Sequence, residues 1–262
     1  MPFTTLTDNI VRKEQYIHAI NYYIHNTNYP VVFTENSGTD ISDHFQSSIT
    51  NKRLEILTFK GNKNKEKGKG FGEAEIIDYA LSNSMIIAST DNKCAIIKIT
   101  GRIIIENISE SVSKRFFLQE SDSIIVSYNS DFSFADSRFI IAPLTFFQSF
   151  LQHKDDINDY KNSFFENVLS NCIKQNTLYH YYPFFIEPQI TGQSGSTGEL
   201  YTPHNKTFQR RLNYFTYKMS QILYFDKYLS THKYPLYKRT IYTLLSLLSK
   251  FAVRLTILLR NP

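Results

Sequence analysis

A chain of 262 residues with 42% hydrophobic side chains is large enough to bury a core without stapling, and suits one large domain or one domain with a helical appendage. Its two cysteines, Cys94 and Cys172, lie far apart without CxxC spacing, which excludes a zinc ribbon or disulfide scaffold and reads as buried thiols compatible with a reducing compartment. The formal charge of +5 suits an anionic ligand, an acidic membrane surface or nucleic acid alike; the N-terminus has no basic region ahead of a long apolar run, which argues against a secretory signal and for the cytosol.

In chain order, residues 11–24 carry Tyr16, Ile20, Tyr23 and Ile24 at helical spacing, and residues 31–33 form a short apolar strand followed by the polar turn Thr34-Glu35-Asn36-Ser37-Gly38. The cycle repeats with a strand at 54–59, a charged glycine-rich loop at 61–72, a helix at 73–81 and a strand at 85–88. Short apolar strands alternating with helices imply an α/β fold with a mostly parallel sheet. Residues 95–105 then read as one strand interrupted by Gly101, with further strands at 123–128 and 139–142. Their short connections add a mixed or antiparallel section. Helices are expected at 144–151 and 160–172, and a second glycine-serine loop at 191–198.

Residues 1–205 are thus expected to form the catalytic domain, and residues 206–262 a helical, basic, amphipathic C-terminal segment. In that tail, Lys250 and Arg254 sit among the leucines of residues 237–259. Each central charge costs about 2.5–3.5 kcal/mol in a bilayer span, which favours a helix on a membrane surface or packed on protein.

Two glycine-pinned cationic segments carry the chemical signal. The first holds Lys63, Lys65, Lys67 and Lys69 among glycines, with Glu73 and Glu75 opening the next helix. It matches neither GxxxxGK[ST] nor GxGxxG, so ATP hydrolysis and dinucleotide binding have no motif here. It reads as an anion cradle or as a solvated lysine loop. In the second, Lys98 and Arg102 stand four residues apart and would share one strand face, either paired with Asp78 or Asp91 or neutralising a diphosphate. Asp136-Ser137-Arg138 could orient sugar hydroxyls or a departing phosphate, or form an internal pair. Glu187 is a candidate general base, which would need to lie about 2.6–3.2 Å from an acceptor hydroxyl, or an ordinary loop glutamate. No clean DxD pair is present, so a divalent metal, Mg or Mn, stays open without assigned ligands.

Taken in order, Thr5-Leu6-Thr7, Phe33-Thr34-Glu35-Asn36-Ser37-Gly38, Gly68-Lys69-Gly70-Phe71-Gly72-Glu73, Ile97-Lys98-Ile99-Thr100-Gly101-Arg102, Asp136-Ser137-Arg138-Phe139 and Gly192-Gln193-Ser194-Gly195 resemble a family of bacterial surface-polysaccharide glycosyltransferases with a GT-A-like nucleotide-sugar fold. The resemblance implies transfer of a sugar from a nucleotide-sugar donor to a glycan or glycolipid acceptor, of lipopolysaccharide or capsule, at the cytoplasmic face of the membrane. It places Thr5, Thr7, Glu35 and Asn36 near the nucleotide, and Lys69, Lys98 and Arg102 toward its phosphates. Gly70, Gly72, Glu73 and Arg138 complete that donor site, and Asp136 and Glu187 face the reacting sugars. With DxD missing, lysine and arginine would stabilise the leaving phosphate. The tail would make the membrane contact, and nucleic acid has no part in this reading. The residues alone also allow a non-catalytic binder of nucleic acid or another anionic polymer, built on Lys63, Lys65, Lys67, Lys69, Arg210 and Arg211 beside aromatic side chains.

Overall fold

The computed structural model describes residues 8–61, 63–91, 94–112, 122–195, 197–203 and 207–228. Thr5, Thr7 and the amphipathic tail from residue 229 onward lie outside the described residues. Helix α1 (Asn9–Asn26) starts where the Asp8 carboxylate accepts from the Ile10 and Val11 amides at 2.8 and 3.2 Å, satisfying two amides that have no partner within the helix. Its Ile20 face packs on Phe33, Ile41, Phe45 and Leu54. Strands β1 (Val31–Glu35) and β2 (Leu54–Thr58) pair in parallel, Val31 opposite Leu54 and Glu35 opposite Thr58, with the short α2 (Gln46–Thr50) in the connection between them.

Helix α3 (Lys69–Asn83) starts inside the segment expected to be loop, and α4 (Met85–Ala88) replaces an expected strand. The cause is Glu55 on β2. Its carboxylate accepts from the Ser84 hydroxyl at 2.6 Å and from the Met85 and Ile86 amides at 2.9 and 3.1 Å, while Ser84 Oγ accepts from Ile87 N at 3.0 Å. With its first amides satisfied from outside, the apolar run Met85-Ile86-Ile87-Ala88 closes into a helical turn. Gly68 precedes α3 at φ 93°, and a Cβ there would sit 2.6 Å from Asp159. Gly68→Ala is therefore expected to cost about 1–3 kcal/mol, read as a lowered urea midpoint.

The run 95–105 is two strands in two sheets. In chain order, β3 (Ala95–Ile99) is followed by β4 (Ile103–Ile105), the short helix α5 (Ile108–Ser111), β5 (Ser123–Tyr128) and β6 (Ala135–Pro143). Beyond helices α6 (Leu144–Leu151) and α7 (Phe165–Gln175) come β7 (His180–Tyr182), β8 (Ile190–Gln193) and β9 (Leu200–Tyr201). One sheet has the order β3-β6-β5-β7 and another β4-β8-β9. The switch occurs at Thr100-Gly101-Arg102, where Thr100 N donates to Arg138 O at 3.0 Å and Ile103 N turns back to Thr100 O at 3.1 Å. Lys98 and Arg102 thus share no strand face.

The architecture is α/β with mixed sheets. Parallel pairing is confined, among the described residues, to β1 with β2 and β5 with β7; the pairs β3 with β6, β5 with β6, β4 with β8 and β8 with β9 are antiparallel. The mixed or antiparallel section expected from residue 95 onward is present, since β3, β5 and β6 pair without repeated helical crossovers, and the parallel part is confined among the described residues to the two pairs named. Helix α6 forms at the expected residues. Helix α7 starts later than expected because residues 159–161 form a separate 3-10 turn ended by Asn162 at φ 56°. Phe146, Phe147 and Phe150 of α6 and Phe165 and Leu169 of α7 bury one face of the larger sheet against Ile124, Val126 and Ile140. Helix α8 (Phe208–Tyr228) is joined to that sheet through Gln221, which accepts from Tyr181 at 2.5 Å and donates to Tyr128 O at 3.0 Å. Among the described residues no helix is long and apolar enough to cross a membrane.

Candidate functional site: two adjoining clefts

The first cleft, about 430 Å³, lies among α1, β1, α3 and β3. Phe33, Ile77, Ile97 and neighbouring apolar side chains line part of it; Arg12, Thr34, Asn36, Lys69, Gly72, Glu73, Lys98 and Arg102 supply its polar groups. Arg12 and Tyr16 are one turn apart on α1, and the sheet switch after β3 presents Arg102. Arg12 Nε, Thr34 Oγ1 and Arg102 Nη1 are all buried without a hydrogen-bond partner among the described residues. Among the described residues neither guanidinium joins an ion pair. Burial pulls the Arg102 pKa below its ordinary value; Tyr16 opposes this, Arg12 adds to it by like charge and Tyr201 opposes it again. A partly buried cation without an ion-pair partner loses some hydration, which a bound anion would offset.

Arg102 also meets the late glycine-serine loop, since a Cβ on Gly195 would run into Arg102 Nη2. The far end of an arginine moves easily, so Gly195→Ala should leave the fold intact and displace the guanidinium.

Lys98 has a different environment. It forms an ion pair with Glu73, donates to Ser137 O and comes within 3.4 Å of Thr100 Oγ1; the two charged side chains are 10% and 20% exposed. Ser137 Oγ in turn donates to Glu166 at 2.7 Å, so one network ties α3, β3, β6 and α7 together. Asp78, considered as a partner for Lys98, pairs with Lys154 at 2.5 Å. Burial raises the Glu166 pKa first and the Glu73 charge raises it further, against the Ser137 hydrogen bond and Lys98. A carboxyl whose folded pKa lies above its unfolded value stabilises fully below the unfolded pKa, and that contribution is lost as pH rises through the folded one. Glu166→Gln should therefore flatten the decline in stability above the ordinary glutamate range, checked by urea midpoints across pH.

The glycine-lysine segment is a helix start rather than an open cradle. Gly70 N donates to Asp159 at 3.0 Å, and Lys67 pairs with Asp155 at 2.7 Å with its ammonium 4.4 Å from the centre of the Phe71 ring. Glu35 is buried and pins its own loop, accepting from Ser37 N at 2.7 Å, Ser37 Oγ at 2.9 Å and Thr39 N at 3.2 Å. It lines a cavity of about 700 Å³ that shares Arg12, Tyr16 and Phe33 with the first cleft.

The second cleft, about 780 Å³, contains Asp136 and Arg138 of β6, Glu187, Tyr201 of β9, and Arg210, Tyr214 and Tyr217 of α8. Arg138 donates to Asp136 from Nε at 2.9 Å and from Nη2 at 2.6 Å, a pairing that raises the Arg138 pKa against the effect of burial. Arg210 donates to Glu187 through Nε at 3.1 Å and through Nη2. The Arg138 guanidinium lies 4.9 Å from the centre of the Tyr201 ring. Tyr201 acts electrostatically on both Arg138 and Arg102, and Thr100, which lines the first cleft, bonds Arg138 O. The two clefts adjoin there.

The predicted site residues are therefore divided. Asn36, Lys69, Gly72, Glu73, Lys98 and Arg102 line the first cleft; Asp136, Arg138 and Glu187 line the second; Glu35 lines the neighbouring cavity and Gly70 lines none of the three. Arg12, Tyr201, Tyr214 and Tyr217 were missed, although Arg210, Tyr214 and Tyr217 follow helical i, i+4, i+7 spacing. Both cysteines are free and half-buried rather than fully buried, and burial pushes the Cys172 thiol up to about 11, away from nucleophilic use. Among the described residues no three His, Cys, Asp or Glu side chains come together as a metal site. Comparison with protein-family models, with curated proteins and with solved structures gives no match for this chain.

Proposed function

We propose that this chain is a glycosyltransferase with a GT-A-like arrangement, moving a sugar from a nucleotide-sugar donor to a hydroxyl of a bacterial surface glycan or glycolipid. The observation that carries the reading is the set of three buried polar atoms without partners among the described residues, Arg12 Nε, Thr34 Oγ1 and Arg102 Nη1, on a partly aromatic cleft linked through Thr100 and Tyr201 to a second cleft containing carboxylates. Half-buried guanidiniums without an ion-pair partner among the described residues suit a diphosphate, and Tyr16 and Phe33 beside them suit the flat apolar face of a base.

In the reaction the acceptor oxygen bonds to the anomeric carbon. The bond from that carbon to the donor phosphate oxygen breaks, and its electron pair stays on the nucleotide phosphate, stabilised by Arg102 and Arg12. The acceptor proton goes to a carboxylate of the second cleft. Asp136 is assigned this role because its neighbours Ser137 and Arg138 bond through their carbonyls to Lys98 and Thr100 of the first cleft. Glu187, the earlier candidate base, is held by Arg210 just as Asp136 is held by Arg138, so the pairing does not separate them; Glu187 is assigned to acceptor binding because the link to the first cleft runs through the residues next to Asp136. One carboxylate receiving the proton is the inverting pattern.

A thermal-shift panel of nucleotide sugars, with Mn²⁺ or with EDTA, tests the reading. The cognate donor should raise the melting temperature. No shift with any nucleotide sugar, together with salt-sensitive binding of RNA or DNA, would overturn it. Asp136→Asn should lower transfer about 10²–10⁴-fold while the donor-induced shift persists.

A further inference from the structure

We infer that the second cleft is a binding site for an uncharged saccharide, with Tyr201 as its central contact. The inference deepens the proposed function by naming the chemical class of the acceptor, and it rests on that reading for the word acceptor alone. The binding site itself stands on the geometry of the cleft.

A pyranose ring presents C–H faces that are apolar and hydroxyls that both donate and accept. A site for it combines aromatic rings with fixed, planar polar groups, within the roughly 300–1,000 Å³ typical of ligand pockets. The second cleft has about 780 Å³ and this composition. Tyr201, Tyr214 and Tyr217 provide rings, and the polar groups are locked in place: Arg138 on Asp136 through three contacts of 2.6–3.1 Å, and Arg210 on Glu187 through two. Tyr214 donates to Phe184 O at 2.7 Å and Tyr217 to Tyr128 O, so the α8 side of the wall is anchored to the loop and sheet opposite.

Charge selects among ligands. Among the described residues, the ionisable lining groups other than tyrosines are Asp136, Glu187, Arg138 and Arg210, two anions and two cations, each cation paired with one anion. The described lining is internally neutral, and each pair retains oxygen lone pairs and N–H donors suited to hydroxyls. A phosphate or a sugar carboxylate entering it would meet Asp136 and Glu187 and would have to compete with them for both arginines. The contrast with the first cleft is direct: there the two guanidiniums have no ion-pair partner among the described residues. A hydrocarbon ligand is disfavoured by the same four charged groups, which it would strip of water without replacement.

The test is saturation-transfer NMR on the full chain with methyl glycosides of glucose, galactose and N-acetylglucosamine, and with methyl glucuronide as the anionic comparison. Nucleotide binding is measured separately by thermal shift. Saturation transfer to at least one neutral glycoside is expected, stronger than to the glucuronide, and weakened at least tenfold in Tyr201→Ala with circular dichroism and nucleotide binding retained. Glu187→Gln leaves Arg210 uncompensated and should shift preference toward the glucuronide. No transfer to any neutral glycoside, preference of the unaltered chain for the glucuronide, or full binding by Tyr201→Ala each overturns the inference. Because nucleotide binding reads the other cleft, a failure here with nucleotide binding intact leaves the donor reading standing. Loss of nucleotide binding alone would remove that reading and leave the saccharide site.

Discussion

Arg102→Ala is expected to lower transfer from the cognate nucleotide sugar by about 10²–10³-fold, the loss typical when one preorganised charge-stabilising donor is removed. Stability should hold within about 0.5 kcal/mol, because the guanidinium has no ion-pair partner among the described residues and its Nη1 makes no hydrogen bond. The two parts of the expectation belong together. A half-buried cation without a carboxylate contributes little to folding, so its removal should be felt where negative charge develops, at the leaving phosphate. Arg102→Lys should not restore the rate, since an ammonium cannot reproduce the planar fork. Single-turnover kinetics and urea denaturation of the two variants check this. Transfer within threefold of the parent would remove Arg102 from the mechanism, and a large loss of stability would make it a structural residue.

Lys98→Met should do the reverse. Its ammonium holds Glu73 and Ser137 O inside the protein, with Glu166 joined through Ser137. Removing the one cation leaves two carboxylates close together and poorly solvated, and breaking a buried pair from one side costs about 3–5 kcal/mol. A fall of that size in the urea-derived unfolding free energy is expected. Lys98→Met combined with Glu73→Gln should recover much of it, because the orphaned charge is then gone. Any loss of transfer in the single variant should track the folded fraction. A stable Lys98→Met protein with abolished transfer would return Lys98 to the phosphate site. Two cations four residues apart are thus expected to have opposite signatures, Arg102→Ala on rate at little cost in stability and Lys98→Met on stability first.

Local pattern was legible where local forces decide. The helix through Tyr16 and Ile20, the strand at Val31 and the helix Leu144–Leu151 follow from apolar spacing, and the structure forms them at or close to those residues. The four-residue run at Met85 was misread as a strand because its deciding partner, Glu55, lies thirty positions away. The division of the 95–105 run between two sheets was hidden for a similar reason: no local preference tells Ile99 and Ile103 to choose different partners.

The site shows the same boundary. Residue types in the sequence by themselves determined that this is an α/β protein with cations, carboxylates and glycines concentrated in a few segments, since periodicity and composition act locally. Which cations are paired was decided by tertiary structure alone. Lys98 met Glu73 across α3 and β3, whereas Arg102 was delivered by a sheet switch to a place where, among the described residues, no carboxylate pairs with it. Arg12 and Tyr201, from opposite ends of the described chain, act on that same guanidinium. The physical reason is that charge pairing, desolvation and cleft shape depend on through-space distances between segments remote in sequence, and those distances exist once the sheets have formed.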